Sequence, residues 1–163
     1  MAFESVNVTS ARNALNSCLN TISYSKSSRI YVNIQNNEIW NSSSRDVLKE
    51  ALKTLTNTKY KELKDKINTY LLAINQIEGY QNAQASLNEV NNQIKELESK
   101  ISTAKSNKRS YERNKEKYSS KLSQTKKDIY NYSNQLTQLY NRRRELENEM
   151  ASLKSQIELK INS

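Results

Sequence analysis

The sequence predicts an all-α protein, and three observations support that prediction. The chain of 163 residues contains one Gly and no Pro, so it lacks the two strongest breakers of helical structure. Apolar residues recur at alternating spacings of three and four, which is heptad periodicity. Aromatic residues make up 7% of the chain, too little bulk for one globular core of this length. We therefore expect an elongated helical hairpin followed by a long antiparallel coiled coil, with three long helices.

The first helix is expected within residues 8–38, with Thr9 or Ser10 as its N-cap. Cys18 falls on its apolar face, which predicts a small buried side chain rather than a nucleophile. An Asn- and Ser-rich stretch over 35–44 predicts a turn, and Ser44 with Asp46 then marks a new helix start. The face expected to pair with another helix consists of Leu15, Leu19 and Ile22 before the turn, and Leu48, Leu52 and Leu55 after it.

The second helix meets no helix-terminating signal for about 60 residues, although residues 54–58 have low helix propensity. The heptad rhythm slips between Ile77 and Leu87, beside Gly79, where the spacing is ten residues rather than eleven. This slip divides the chain into a hairpin over 1–85 and a heptad coiled coil over 86–163.

From Leu87 to Lys160 the heptad seam is strict. Of its 22 positions, 17 are apolar or Tyr, whereas the chain average of 35% hydrophobic residues would give about eight. The seam residues expected to form the coiled-coil contact are Leu87, Val90, Ile94, Leu97, Ile101, Leu122, Ile129, Leu136, Leu139, Leu146, Met150, Leu153 and Ile157.

Two architectures fit this seam. In the first, the chain turns near Ser106, within 102–110, so that 60–103 pairs with 110–157 and Val90 faces Leu122. In the second, one continuous helix runs from 45 to 162. The Ser and Asn content of 102–110 favours the turn, whereas the absence of Gly argues against it.

Composition excludes several function classes. The chain has no His and one Cys, so it lacks the commonest general base and metal ligand and cannot form an intramolecular disulfide. Its acidic residues are scattered at helical surface spacing. We expect no catalytic residues, no metal site and no cofactor, and therefore no enzyme. The longest apolar run, over 70–74, is far below the ~18 residues of a membrane span. A cytoplasmic protein is expected, with no cleavable signal peptide, which leaves export of a folded helical protein open.

Residues 105–127 form a basic stretch with nine Lys or Arg against two acidic residues. Tyr111 and Tyr118 lie within it, and basic residues interleaved with aromatics are typical of nucleic-acid binding. Both Tyr also fall on the heptad seam, so the pattern favours seam packing and solvation over a nucleic-acid site.

Trp40 is the sole Trp, and it lies in the predicted turn between two helices. Trp40, Asn41 and Ser42 at this position resemble the Trp-x-Gly turn of the WXG100, or ESAT-6-like, proteins of bacterial type VII secretion systems, with Ser in place of Gly. The resemblance covers roughly residues 5–85. It implies an antiparallel helical hairpin in which these three residues set the turn and contribute to recognition. The Tyr-x-x-x-acid export signal of some family members is absent, and the extension over 86–162 exceeds the usual family length.

The leading hypothesis is therefore a non-enzymatic interaction protein resembling a WXG100-type secretion partner, chaperone or small secreted factor. It would act by helix pairing with a second copy or with a helical effector domain. The alternative is a structural coiled-coil spacer or adaptor of a phage or of cell architecture. A third hypothesis is a coiled coil that binds nucleic acid through 105–127.

Overall fold

The computed structural model describes residues 5–24, 42–54 and 58–162, and over these residues the chain is all-α, as predicted. Helix α1 spans Val8–Tyr24 and α2 spans Ser42–Thr54. Helix α3 spans Tyr60–Glu112 and α4 spans Lys115–Ile161. Four helices are thus described where three were expected. Most of the predicted stretch of poor helix formers at 54–58 lies outside the described residues.

The contacts of the chain group it into two units. Unit 1 comprises 1–78 with 155–163, and unit 2 comprises 79–154. The sequence placed a boundary at 85/86. The contact grouping divides α3 at Gly79, and the end of α4 belongs to unit 1 because it packs with the N-terminal half. The two domain ranges stay a prediction from the sequence.

Unit 2 is an antiparallel hairpin of α3 and α4. Its contact pairs follow one register: the Tyr111 and Tyr118 rings lie 5.2 Å apart, and the Tyr140 hydroxyl donates to Glu98 at 2.7 Å. The residue number rises on one helix as it falls on the other, which is the signature of antiparallel packing. A single helix from 45 to 162 is therefore wrong, because α3 ends at Glu112 and packs against α4.

The turn of the hairpin lies at Arg113 and Asn114, not within 102–110. Residues 102–110 are helical, and Ala104 is buried there. Helix positions 99–107 and 125–132 line one shared groove, so the two helices remain packed past Ser106. Continuing the helix buries more of the seam than a turn at Ser106 would, and no Gly or Pro interrupts it.

Asn114 explains where the turn forms. Its Oδ1 accepts a hydrogen bond from the Lys117 N–H at 3.3 Å, and its carbonyl accepts one from the Tyr118 N–H at 3.2 Å. Asn114 is thus the N-cap of α4, a position at which Asn is among the preferred residues. The shifted turn also shifts the pairing. Val90 belongs to one cluster with Leu146 and Met150, so the expected pairing of Val90 with Leu122 is wrong.

The core of unit 2 is a cluster of buried apolar residues from both helices. Its buried members are Ala83, Val90, Ile94, Leu146 and Met150, with Tyr80, Leu87, Leu136 and Leu139 packed around them. Each large side chain buried in this way contributes about 1.5–3 kcal/mol to folding.

Unit 1 is built from α1, α2, the beginning of α3 and the end of α4. Its buried apolar residues are Val8, Ile67, Ala73, Ile74, Ile77 and Ile157. Helix α1 begins after Asn7, whose Oδ1 accepts a hydrogen bond from the Ser10 N–H at 2.9 Å. Asn7 is therefore the N-cap, rather than Thr9 or Ser10, and the helix starts two to three residues earlier than expected.

Candidate interaction surfaces

The predicted Trp turn cannot be placed. Trp40 and Asn41 lie outside the described residues, and Ser42 is the first residue of α2. The assignment of these three residues to a turn and a recognition element stays a prediction from the sequence.

One arginine of α1 forms hydrogen bonds with two side chains of α3. The Arg12 guanidinium donates to Glu78 Oε2 at 2.6 Å and to Asn75 Oδ1 at 3.0 Å. The Arg12 and Glu78 side chains are 33% and 48% exposed, so solvent partly screens this ion pair. Sequence reasoning missed Arg12, since nothing in its local pattern shows that its partners lie more than 60 residues away. The contact links α1 to α3 within unit 1.

The predicted pairing residues of α1 are only partly covered. Leu15, Leu19 and Ile22 are all half-buried. Cys18 is exposed as a free thiol, so the expectation of a buried Cys18 is wrong. The helix is turned so that Leu15 and Leu19 lie at the packed boundary, while Cys18 points to solvent.

Helix α2 and the first turns of α3 present apolar side chains to solvent. Leu48 is half-buried, whereas Val47 is 70% exposed and Leu63 is 48% exposed. The Leu52 side chain and Leu55 lie outside the described part of the chain. Leu63 falls on the same heptad pattern as Ile67 and Ile74, both of which are buried, so the apolar stripe continues past the packed region.

The exposed aliphatic residues are unevenly distributed between the units. Among the described residues, the exposed large aliphatic side chains are Val47, Leu63, Leu72 and Leu159. All four belong to unit 1. The exposed large hydrophobic residues of unit 2 are Tyr130 and Tyr140, whose hydroxyl groups are polar and suited to a solvent-exposed position. Unit 1 is therefore the part with uncovered aliphatic surface.

The thirteen predicted seam residues are all buried or half-buried. The buried ones are Val90, Ile94, Leu97, Ile101, Leu122, Leu146, Met150 and Ile157, and the half-buried ones are Leu87, Ile129, Leu136, Leu139 and Leu153. Among the polar seam positions, Thr125 is buried and Lys115 is exposed. Lys115 is the first residue of α4, next to the turn, and its side chain therefore lies in solvent rather than between the two helices.

The basic stretch surrounds the turn of unit 2. The end of α3 contributes Lys105, Lys108 and Arg109, Arg113 lies in the turn, and the beginning of α4 contributes the remaining five lysines. All nine side chains are exposed except that of Lys108, which is half-buried and lies 3.8 Å from Glu112. We call residues 105–127 the basic end.

Two tyrosines, one from α3 and one from α4, are in contact within the basic end. The rings of Tyr111 and Tyr118 are 5.2 Å apart and tilted by 36°. The Lys117 and Lys121 ammonium groups lie 5.5 and 5.8 Å from the Tyr118 ring centre, within cation–π range. Tyr118 has φ −117° and ψ 21°, outside helical values, so α4 bends at this residue. The Tyr118 ring is therefore in contact with Tyr111 and with two lysine side chains.

Polar contacts on the flanks of unit 2 shift three pKa values. The hydrogen bond from Tyr140 to Glu98, with burial as a smaller cause, raises the pKa of the Tyr140 phenol. The Lys100 ammonium lies 2.5 Å from Glu96. Their hydrogen bond and charge attraction lower the pKa of Glu96 and raise that of Lys100. These contacts stabilise the charged or hydrogen-bonded states of surface groups.

No cluster of three or more His, Cys, Asp or Glu that could hold a metal ion occurs in the described residues. An open groove between α3 and α4 of unit 2 is lined by Gln93, Lys100 and Gln135 together with Leu97 and Leu139. Within 5–24, 42–54 and 58–162, none of the helices combines the length and the hydropathy that a membrane span requires. Comparison with protein-family models, curated proteins and solved structures finds no match for this chain.

Proposed function

We propose that the protein is a non-enzymatic interaction protein that pairs its unit 1 helices with helices of a protein partner. The observation that carries the proposal is the placement of every exposed large aliphatic side chain of the described residues in unit 1. Val47 on α2 and both Leu63 and Leu72 on α3 lie in the region resembling WXG100 proteins, whereas Leu159 lies outside it.

Exposed leucine and valine side chains in helices favour association. Burying one such side chain against a partner helix yields up to about 1.5–3 kcal/mol. Because the Leu63 stripe continues an already packed heptad pattern, a partner helix would extend the packing of unit 1 along α3. The partners we propose are a helical effector domain, as the resemblance implies, or a second copy of the chain.

The finer proposal is a role beside a type VII secretion system, with the protein made in the cytoplasm. It is supported by the Trp40-Asn41-Ser42 sequence at the family position, followed by a helix that begins at Ser42. Trp40 and Ser42 would set the corner between two pairing helices.

The pairing proposal is tested with Val47→Asp and Leu63→Asp combined in the full chain. Mass by light scattering is measured for the chain alone over a range of concentrations, and after co-expression with each helical protein that an adjacent gene encodes. The original sequence should form a complex of defined stoichiometry, and the double variant should not. Both positions are exposed, so far-ultraviolet circular dichroism should remain unchanged.

Tyr130→Asp combined with Asn134→Asp is the matched control, because it introduces the same two negative charges at exposed positions of unit 2, and Tyr130 is a 68% exposed hydrophobic residue. This control should keep the complex. A monomer that binds neither itself nor the neighbouring protein, or a complex indifferent to Val47 and Leu63, contradicts the proposal.

The secretion role is tested with Trp40→Ala, by measuring helical content and export of the neighbouring effector. Reduced export with folding intact is the expected result. Unchanged export of the effector by a folded variant removes Trp40 from the recognition surface.

A further inference from the structure

The charge of the chain is concentrated at one end of one hairpin. The basic end holds nine Lys or Arg and two Glu, so it carries +7 of the total net charge of +9. Along one continuous helix these residues would extend over about 33 Å. The turn at Arg113 and Asn114 folds them back, so that they lie within about 20 Å of helix length. This folding raises the density of positive charge well above what the sequence spacing alone implies.

These cations have few partners within unit 2. Lys108 has Glu112, and Lys117 and Lys121 lie over the Tyr118 ring. The six that have no ion pair or ring contact in the described residues are Lys105, Arg109, Arg113, Lys115, Lys126 and Lys127. By contrast, two arginines further along α4 are paired, Arg142 with Glu145 and Arg143 with Glu147. Most positive charges of the basic end are therefore not balanced by ion pairs among the described residues.

The surroundings of the cations favour phosphate over a lipid surface. None of the exposed large hydrophobic side chains lies within residues 105–127, all of which the structure describes. Insertion into a bilayer interface needs such side chains, whereas contact with a phosphodiester backbone needs only cations. The two half-buried Tyr rings contact each other, and Lys117 and Lys121 lie over the Tyr118 ring, which leaves little ring surface for stacking on unpaired bases.

We propose that the basic end binds the phosphate backbone of double-stranded nucleic acid without sequence preference. Cations from both helix ends and from the turn would face the phosphates, and the Tyr111–Tyr118 contact would hold the two helix ends together. This site lies in unit 2 and does not depend on helix pairing by unit 1.

The test uses the full chain and a fluorescein-labelled 20-base-pair duplex of random sequence, with binding measured by fluorescence anisotropy. If about five phosphates are neutralised, affinity should fall about 500-fold between ~50 and ~200 mM salt. Arg113→Ala combined with Lys115→Ala should lower the slope of log affinity against log salt by about two and weaken binding at least tenfold at the lower salt.

The matched control is Lys95→Ala combined with Arg144→Ala, which removes the same charge from exposed positions of unit 2 outside the basic end. This control should bind almost as tightly as the original sequence. Circular dichroism of both variants establishes that the helices are intact.

Three outcomes overturn the proposal. The first is an absence of duplex binding at the lower salt, and the second is an equal loss of affinity in the control variant. The third is equal or tighter binding to polyglutamate, or to vesicles of phosphatidylserine and phosphatidylcholine, under the same conditions. That last result would assign the surface to acidic proteins or to anionic lipid instead.

Discussion

Gly79 offers a substitution whose effect can be worked out from the structure. It lies inside α3, where Gly is less favourable than Ala by about 1 kcal/mol because of its backbone entropy. A Cβ at this position would lie 3.6 Å from Leu153 Cδ1 and 3.9 Å from Leu153 Cδ2, which is ordinary van der Waals contact. Gly79→Ala should therefore stabilise the chain by about 1 kcal/mol from helix propensity, with a few tenths more from the new contact.

The assay is urea unfolding followed by circular dichroism, with the free energy of unfolding as the readout. Ala85→Gly is the matched control, because Ala85 is an exposed residue of the same helix. It should destabilise the chain by about 1 kcal/mol through propensity alone. The gain at Gly79 minus the loss at Ala85 then measures the Leu153 contact. A fall in stability on Gly79→Ala would refute the reasoning. It would show that α3 and α4 pack too closely at Gly79 to accommodate a Cβ.

Three further predictions concern unit 2. Leu146 is 2% exposed inside the apolar cluster, so Leu146→Ala should lower the free energy of unfolding by about 2–5 kcal/mol in urea titrations, whereas the exposed Leu72→Ala in unit 1 should cost much less. Asn114→Ala removes the N-cap of α4 and should cost about 1 kcal/mol by the same measurement, with Asn114→Ser close to neutral; an unchanged midpoint for the Ala variant would contradict the cap. The raised pKa of Tyr140 means that its bond to Glu98 contributes fully below the ordinary tyrosine pKa and is lost as pH rises through the higher folded value. Tyr140→Phe should therefore lose less stability than the original sequence in alkaline urea titrations, and identical pH profiles would dismiss this contribution.

The all-α class could be predicted because its causes are local. Helical periodicity and the absence of breakers are properties of the sequence itself. The contact between Arg12 and Glu78 could not be predicted, since it depends on which face of α1 meets α3. Heptad spacing identifies the stripe that is buried, but the same stripe can meet several partners.

The position of the turn is the clearest case of this limit. Ser- and Asn-rich 102–110 has the stronger turn composition, yet the chain stays helical there and turns at Asn114. Continuing the helix past Ser106 brings Tyr111 into contact with Tyr118, where its ring is half-buried, and this gain outweighs the weak preference of Ser and Asn for turns. The turn forms where the seam residues give way to the charged run from Glu112 to Lys117, and where Asn114 caps the next helix.

The same competition determines the chemistry of the basic end. Had the chain turned near Ser106, the turn would lie at the edge of the basic stretch, with Lys105 before it and the remaining cations along one helix. Because burial of seam residues favours helix as far as Glu112, the turn divides residues 105–127 into two parts. Cations from α3, the turn and α4 therefore lie near the contact of Tyr111 with Tyr118. The seam residues thus set the charge density of a surface to which they contribute no charge. It follows that a substitution that moves the turn should change binding of the duplex even when it leaves every Lys and Arg in place.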